Sequence, residues 1–352
     1  MFKYYTNHHG LSVRILILLL FLSSCQTDPS DIDDVQSYFD DVNQAELLIC
    51  NEEFAKAAKL YKRAFRSIEK PFGKDVFNAA LCNHLGGDIK VRDRYLKLIL
   101  HNTDDASYVH SVFVNDYISE STWDELISTK QVDYDEELRE EFVEIYERDQ
   151  RFRPMYDTHD DTINANRKLN LSRILAITET NGFPSHLELG YQPDLRGQKH
   201  HIVVHHTAQR RSKDKTTMDL EPILLEAVHG GRLDPENAIY YMNFQNDREK
   251  GPFEVCSMWQ FYHPLLPDSL NQQLWSPDLS PEGISKANEV RRQWYASSIE
   301  DIITKANYLS TANRPFIFSS VRRSVVNLSD EFDQQTALEQ YNMIASVMKQ
   351  SQ

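Results

Sequence analysis

The chain has 352 residues, 41% of them apolar and 26% charged, with a formal net charge of −15. That length accommodates two domains with cores of their own, and the apolar fraction excludes wholesale disorder. The acidic balance argues against non-specific nucleic-acid binding, which needs a basic face, while leaving room for a local basic pocket.

Lys3, His8, His9 and Arg14 precede the apolar run ILILLLFL at 15–22. Such a run is too short to remain as a bilayer-spanning helix and reads as a signal peptide over 1–24. Leu22, Ser23, Ser24 and Cys25 follow one another, and an apolar residue, two small residues and a cysteine resemble the bacterial lipobox. The resemblance implies diacylglycerol attachment at Cys25 and a mature protein anchored in the lipid bilayer of the cell envelope. A plain signal peptide with a chance cysteine is the alternative. Each buried methylene contributes roughly 0.8 kcal/mol, so two or three acyl chains hold where one does not. Gln26 stands where an aspartate would imply inner-membrane retention, so the resemblance favours the outer membrane. Residues 25–42 read as an acidic tether. Cys50, Cys82 and Cys256 lie far apart without CxxC spacing, against a zinc cage. Cys50 and Cys82 fall in helical patterns and read as buried free thiols.

Over 43–130 a faint repeat appears. Ala45, Phe54, Tyr61 and Ala64 are answered 35 residues later by Ala80, Ile89, Leu96 and Ile99. Small residues let helices approach, and large ones fill the groove between them. The pattern resembles the tetratricopeptide repeat, a helix–turn–helix unit of nearly this period, although Arg92 stands where a small residue is expected. SYVHSVFVNDYI and TWDELI supply a further helical pair.

A mainly helical domain with minor β is expected over 135–350. Leu138, Phe142, Ile145, Asp149 and Phe152 are spaced 4, 3, 4, 3, the core stripe of a helix, and put Asp149 in an apolar slot. Pro154 ends that helix, leaving the carboxylate in its last turn, where the helix dipole opposes it. Arg153 is the expected compensation. A helix follows over roughly 160–180 with Ile163, Leu171, Ile174 and Leu175 inward, stopping at Asn181-Gly182. LEPILLEAVHGG, DPENAIYYMNF (Asp234 as N-cap, Pro235 first in the helix), SIEDIITKANYL and ALEQYNMIASVM read as further helices. RPFIFSSV reads as extended.

The stretch KHHIVVHHTAQ, 199–209, holds four histidines. As a strand it would place His201 and His205 roughly 13 Å apart, too far for one metal; as a helix it would place them one turn apart. No glutamate is adjacent and no carboxylate follows before Asp214, so no metal site is expected.

From about Asp135 onward the chain resembles an uncharacterised bacterial family, domain of unknown function 6624. DQRFR supplies Asp149, Gln150 and Arg153; GFP supplies Gly182 and Pro184, with Gly190 after them. VVHHT places His206 on the family histidine, with His205 replacing a glutamine, and NEVRRQWY supplies a late arginine at Arg291 or Arg292. The resemblance implies a helical 200–206. Two departures stand out. The family Asp-Arg pair aligns near Met242-Asn243 unless displaced to Asp247-Arg248, and PFEVCS replaces its Tyr-Gly segment. Two readings follow. The favoured one is an envelope lipoprotein binding a protein, peptide or glycan, with Gln150, His205, Arg291 and Arg292 among its contacts. The other is an enzyme, such as a hydrolase, with Asp149 and His206 as acid and base and Arg153 positioning a polar group. No nucleophile elbow, phosphate loop or metal signature is present, so no cofactor is expected.

Overall fold

Helix α1 (Pro29–Cys50) begins inside the segment expected to be a tether. Its residues Val35, Tyr38, Phe39, Val42, Ala45 and Ile49 fall at helix spacing and are all buried. The acidic composition of 28–41 masked that apolar face, so the tether reading is corrected from Pro29 onward. The computed structural model describes residues 29–192, 195, 199–245, 258–262, 274–275, 280–312, 314–321, 323–327, 335–336 and 338–339. The signal peptide, Cys25, Cys256, Asp247-Arg248 and nearly all of ALEQYNMIASVM lie outside the described residues.

Helices α2 (Phe54–Ala64), α3 (Gly73–Leu85) and α4 (Ile89–Asn102) follow, each packed on the one before. The small residues Ala45, Ala57, Ala64 and Ala80 are fully buried where helices meet, which is why these axes can approach closely. Arg92, the misfit in the repeat, is buried too. It reaches His84 Nδ1 at 3.0 Å and bonds Asp93 at 2.8 Å, so its charge is met within the turn it fills. Helices α5 (Ser107–Asp116) and α6 (Glu120–Ile127) form the further pair, with Phe113, Trp123 and Leu126 in the core.

Helix α7 (Glu136–Gln150) is capped by Asp135, whose carboxylate accepts from Leu138 N. A 3₁₀ turn at Arg153–Met155 leads into α8 (Tyr156–Asn181), which is kinked at His159 and stops at Gly182 with φ 78°. A side chain at that φ is strained, so glycine suits the stop. Helix α9 (His186–Leu189) carries a capping box of Ser185 and Glu188. After it come α10 (Ile202–Lys213), α11 (Glu221–His229), α12 (Pro235–Gln245), α13 (Pro281–Gln293) and α14 (Ile299–Thr311). Asp234 Oδ1 accepts from the backbone N–H groups of Glu236 and Asn237, the expected N-cap of α12. The fold is mainly α. Among the described residues three short strands, β1 (Met258–Tyr262), β2 (Leu274–Trp275) and β3 (Arg323–Asn327), form a sheet in the order β2-β1-β3. β1 runs antiparallel to β2 and parallel to β3. RPFIFSSV, expected to be extended, forms no strand and turns at Ser319-Ser320, where Val321 N bonds Phe318 O at 3.1 Å. Asn78 instead holds both backbone groups of Ile317, donating at 2.7 Å and accepting at 2.9 Å.

The boundary expected between 130 and 135 does not separate two cores. One contiguous set of buried residues runs from Val35 to Val321. Buried charges of the N-terminal helices find partners in C-terminal elements, which ties the halves together. Lys74 Nζ lies 2.7 Å from Asp75 and 3.4 Å from Asp234, while Lys305 bonds Glu46 and Asn43.

Candidate functional site

The 3, 4 spacing of Phe142, Ile145 and Asp149 carries through to the structure: all three are buried, and Asp149 is 3% exposed. Its carboxylate is met by four hydrogen bonds. Arg153 folds back from the 3₁₀ turn and donates twice, Nε to Oδ2 and Nη2 to Oδ1, both at 3.0 Å. Gln150 Nε2 donates to Oδ2 at 2.7 Å. His206 Nδ1, from α10, is 2.6 Å from Oδ2. A buried carboxylate opposed by its helix dipole needs such donors, and the bidentate guanidinium is the strongest of them. Burial by itself would push the Asp149 carboxyl up, but the bonds from His206 and Arg153 prevail and hold it below the usual carboxylate range.

Because an ionised carboxylate only accepts, His206 Nδ1 carries the proton in this pair and Nε2 is the basic nitrogen. The His206 side chain is 10% exposed. Its neighbour His205 points elsewhere. It packs against Tyr240, Tyr241 and Phe244 of α12 at centroid distances of 5.0, 6.0 and 4.4 Å, and Gln209 Nε2 lies 3.0 Å from its Nε2. His201 turns its Nε2 to the carbonyl of Pro184 at 2.9 Å. The helical reading of this stretch therefore holds, yet the two histidines go to different neighbours. Among the described residues no three His, Cys, Asp or Glu side chains converge on a metal position.

Arg291 and Arg292 are not brought to Asp149. Arg291 lies on the inward face of α13, one turn after buried Ala287, and donates Nη2 to both carboxylate oxygens of Glu236 at 2.6 Å. Its role is an ion pair between α12 and α13. Arg292, one position round the helix, is exposed. Arg291 is thus taken up by this ion pair, while Arg292 stays exposed.

Sequence reasoning missed Arg167. The buried face of α8 is Ile163, Arg167, Asn170, Ile174 and Ile177, spaced 4, 3, 4, 3 like the stripe that singled out Asp149. Leu171 and Leu175, chosen instead, are half-buried. Asn170 steadies the end of α7, giving Nδ2 to Ile145 O at 3.0 Å and accepting from Arg148 Nη1 at 2.7 Å. Arg167 is 5% exposed, and its Nε has no hydrogen-bond partner. Burial, and then the charges of Arg210 and Arg153, pull its guanidinium below the usual range, with Asp149 and Asp214 opposing. Those causes place Arg167 within electrostatic reach of the Asp149 cluster.

A second set of buried charges, around Lys74, also escaped the sequence reading. The signal was the Lys74-Asp75 doublet in a helix whose faces are otherwise nearly all buried. Tyr38 donates to Asp75 at 2.6 Å, and Lys74 reaches Asp75, Asp234 and Glu46. Burial pushes the Asp75 carboxyl up to about 6, against the pull of Lys74. Beside it, a small cleft is lined by Lys74, His186, His200, Arg232 and Asp234. Burial depresses His186 to about 4 while its Nε2 bonds Lys70 O at 2.6 Å. With each charge of this set partnered, it reads as structural.

No protein-family model, curated protein or solved structure matches the chain.

Proposed function

We propose that the chain is a lipid-anchored protein of the bacterial envelope, akin to the uncharacterised family it resembles, whose Asp149–His206 pair performs acid–base hydrolysis. The observation that carries the reading is the 2.6 Å bond between His206 Nδ1 and Asp149, made across 57 residues of sequence. A carboxylate on Nδ1 fixes the tautomer, orients the ring and stabilises the imidazolium that forms when Nε2 takes a proton. Asp149 itself is saturated by donors and positions the histidine without touching substrate. On this reading the group that Nε2 activates is water. Anchoring rests on Leu22–Cys25, and outer-membrane residence on Gln26.

A second reading, a binding protein for an envelope peptide or glycan, draws on the same saturation. Four bonds to one carboxylate also make a clamp that presents Arg153 and His206 rigidly. Assaying the full chain in detergent against peptide, glycan, carboxyl-ester and phosphate-ester substrates separates the two. General-base catalysis contributes about 10²- to 10⁴-fold, so His206→Gln should lower turnover by at least about 100-fold. Turnover unchanged in His206→Gln sinks the acid–base reading. Saturable binding without turnover establishes the second.

A further inference from the structure

We infer that Arg167 and Arg210, beside the Asp149–His206 pair, form the recognition site for a tetrahedral dianion, the phosphate group of a monoester. The inference rests on the acid–base reading only in assigning that group to the same substrate.

A buried ion without a counter-charge is among the most unfavourable features a fold can carry. Lysine or histidine can escape by releasing a proton, but a guanidinium stays charged in proteins. Arg167 is 5% exposed, sits in mid-helix, and makes no ion pair with any described carboxylate. The nearest acid toward the N-terminus on its own face, Asp160, is seven residues away, about 10 Å along the axis. Asp160 likewise has a buried oxygen, Oδ1, without a partner. Asp149 supports Arg167 only through space and makes no hydrogen bond to it; its oxygens accept from Gln150, Arg153 and His206.

Further positive charge faces Arg167 from the neighbouring elements. Arg153 comes from the turn after α7 and Arg210 from the last turn of α10, and both repel it. Arg210 stands one turn after His206 on the same helix, so an anion held there lies along the histidine's face. Arg210 gains something from the α10 C-terminus and from Asp214, whose Oδ1 is bonded by Thr216 N and Oγ1. Of the three guanidiniums, only Arg153 is bonded to a carboxylate among the described residues. Two guanidiniums without a bonded carboxylate match a dianion better than a monovalent carboxylate, and planar guanidiniums grip phosphate oxygens two at a time.

The test is thermal unfolding of the full chain in detergent, at constant ionic strength set with chloride, against inorganic phosphate, inorganic sulfate and acetate. The melting temperature should rise saturably with phosphate and sulfate and not with acetate. Arg167→Met should melt no lower than the native chain in chloride alone, because it removes a buried charge that no described carboxylate bonds. The same variant should need at least about tenfold more phosphate for half its effect, the loss of about one charge-assisted bond. Arg210→Gln, less buried, should weaken the response severalfold, and His206→Gln should keep it. Phenyl phosphate acting at the same residues places the group on an ester; a response to free phosphate alone overturns the substrate assignment. An absent saturable response, an equal response to acetate, or an Arg167→Met variant destabilised in chloride each overturns the inference. Loss of the anion response with His206-dependent turnover intact fails this inference alone. The converse fails the acid–base reading alone.

Discussion

Breaking the Asp149–Arg153 pair from either side should cost far more than removing both partners. Asp149 is buried, whereas the Arg153 side chain is 21% exposed, so the two single changes are unequal. Arg153→Met takes two of the four hydrogen bonds from a carboxylate that cannot turn to water. Bonds to charged groups are worth about 1.5–3 kcal/mol each, and His206 and Gln150 still hold the anion, which points to a loss of about 3 kcal/mol. Asp149→Leu leaves four donor hydrogens without an acceptor. Arg153 recovers part of its solvation, but His206 and Gln150 recover less, and about 3 kcal/mol is again expected. The double variant leaves no orphaned carboxylate and places a leucine side chain in a slot framed by Phe142 and Ile145. Its cost should be about 1–2 kcal/mol, well short of the sum. Equilibrium urea unfolding of the full chain and its three variants, followed by circular dichroism at pH 7, measures the cycle. Single changes below about 0.5 kcal/mol that simply add, as for an exposed pair, would show that Asp149 is a solvated boundary residue.

Cys25→Ala should abolish metabolic fatty-acid labelling and release the protein from the membrane fraction; label persisting on the variant removes the lipobox assignment. Stability should depend on pH through two groups of opposite sign. Asp75, raised from 3.8 to about 6, stays protonated in the folded chain where the unfolded chain has ionised, so its contribution is present below 3.8 and lost as pH rises through about 6. His186, lowered from 6.5 to about 4, contributes above 6.5 and loses that contribution as pH falls through about 4. Relative to the native chain between pH 4 and 6, Asp75→Asn should gain stability more steeply with rising pH, and His186→Gln less steeply. Each difference should be on the order of 2–3 kcal/mol across the window; curves parallel to the native one would contradict both assignments. Elemental analysis of the purified chain should find less than one zinc or iron per molecule, since His201 and His205 are directed to different neighbours, and a stoichiometric metal would overturn that.

What the sequence determined is what helical periodicity and local chemistry can express. The stripe through Asp149 foretold a buried carboxylate, and Arg153, four residues on, foretold its partner, because an i,i+4 contact needs only a helix turn. The caps at Asp234-Pro235 and Gly182 were legible for the same reason, since they satisfy or strain only the backbone beside them. Arg167 was legible too, by the spacing that marked Asp149, but leucines off the stripe drew the reading away. In α1 acidic composition outweighed the apolar positions, although the spacing of 35, 38, 39, 42, 45 and 49 was there to be read. Tertiary structure alone decided who meets whom over distance. That His206 closes on Asp149 depends on α10 packing against α7. That Arg291 answers Glu236 rather than the site depends on α13 lying against α12. That Lys74 and Lys305 tie the two halves into one core depends on Asp234 and Glu46 arriving from elements far away in sequence. A buried charge announces that it must be neutralised, but Coulomb attraction carries no label for the partner, and only the packed chain supplies one.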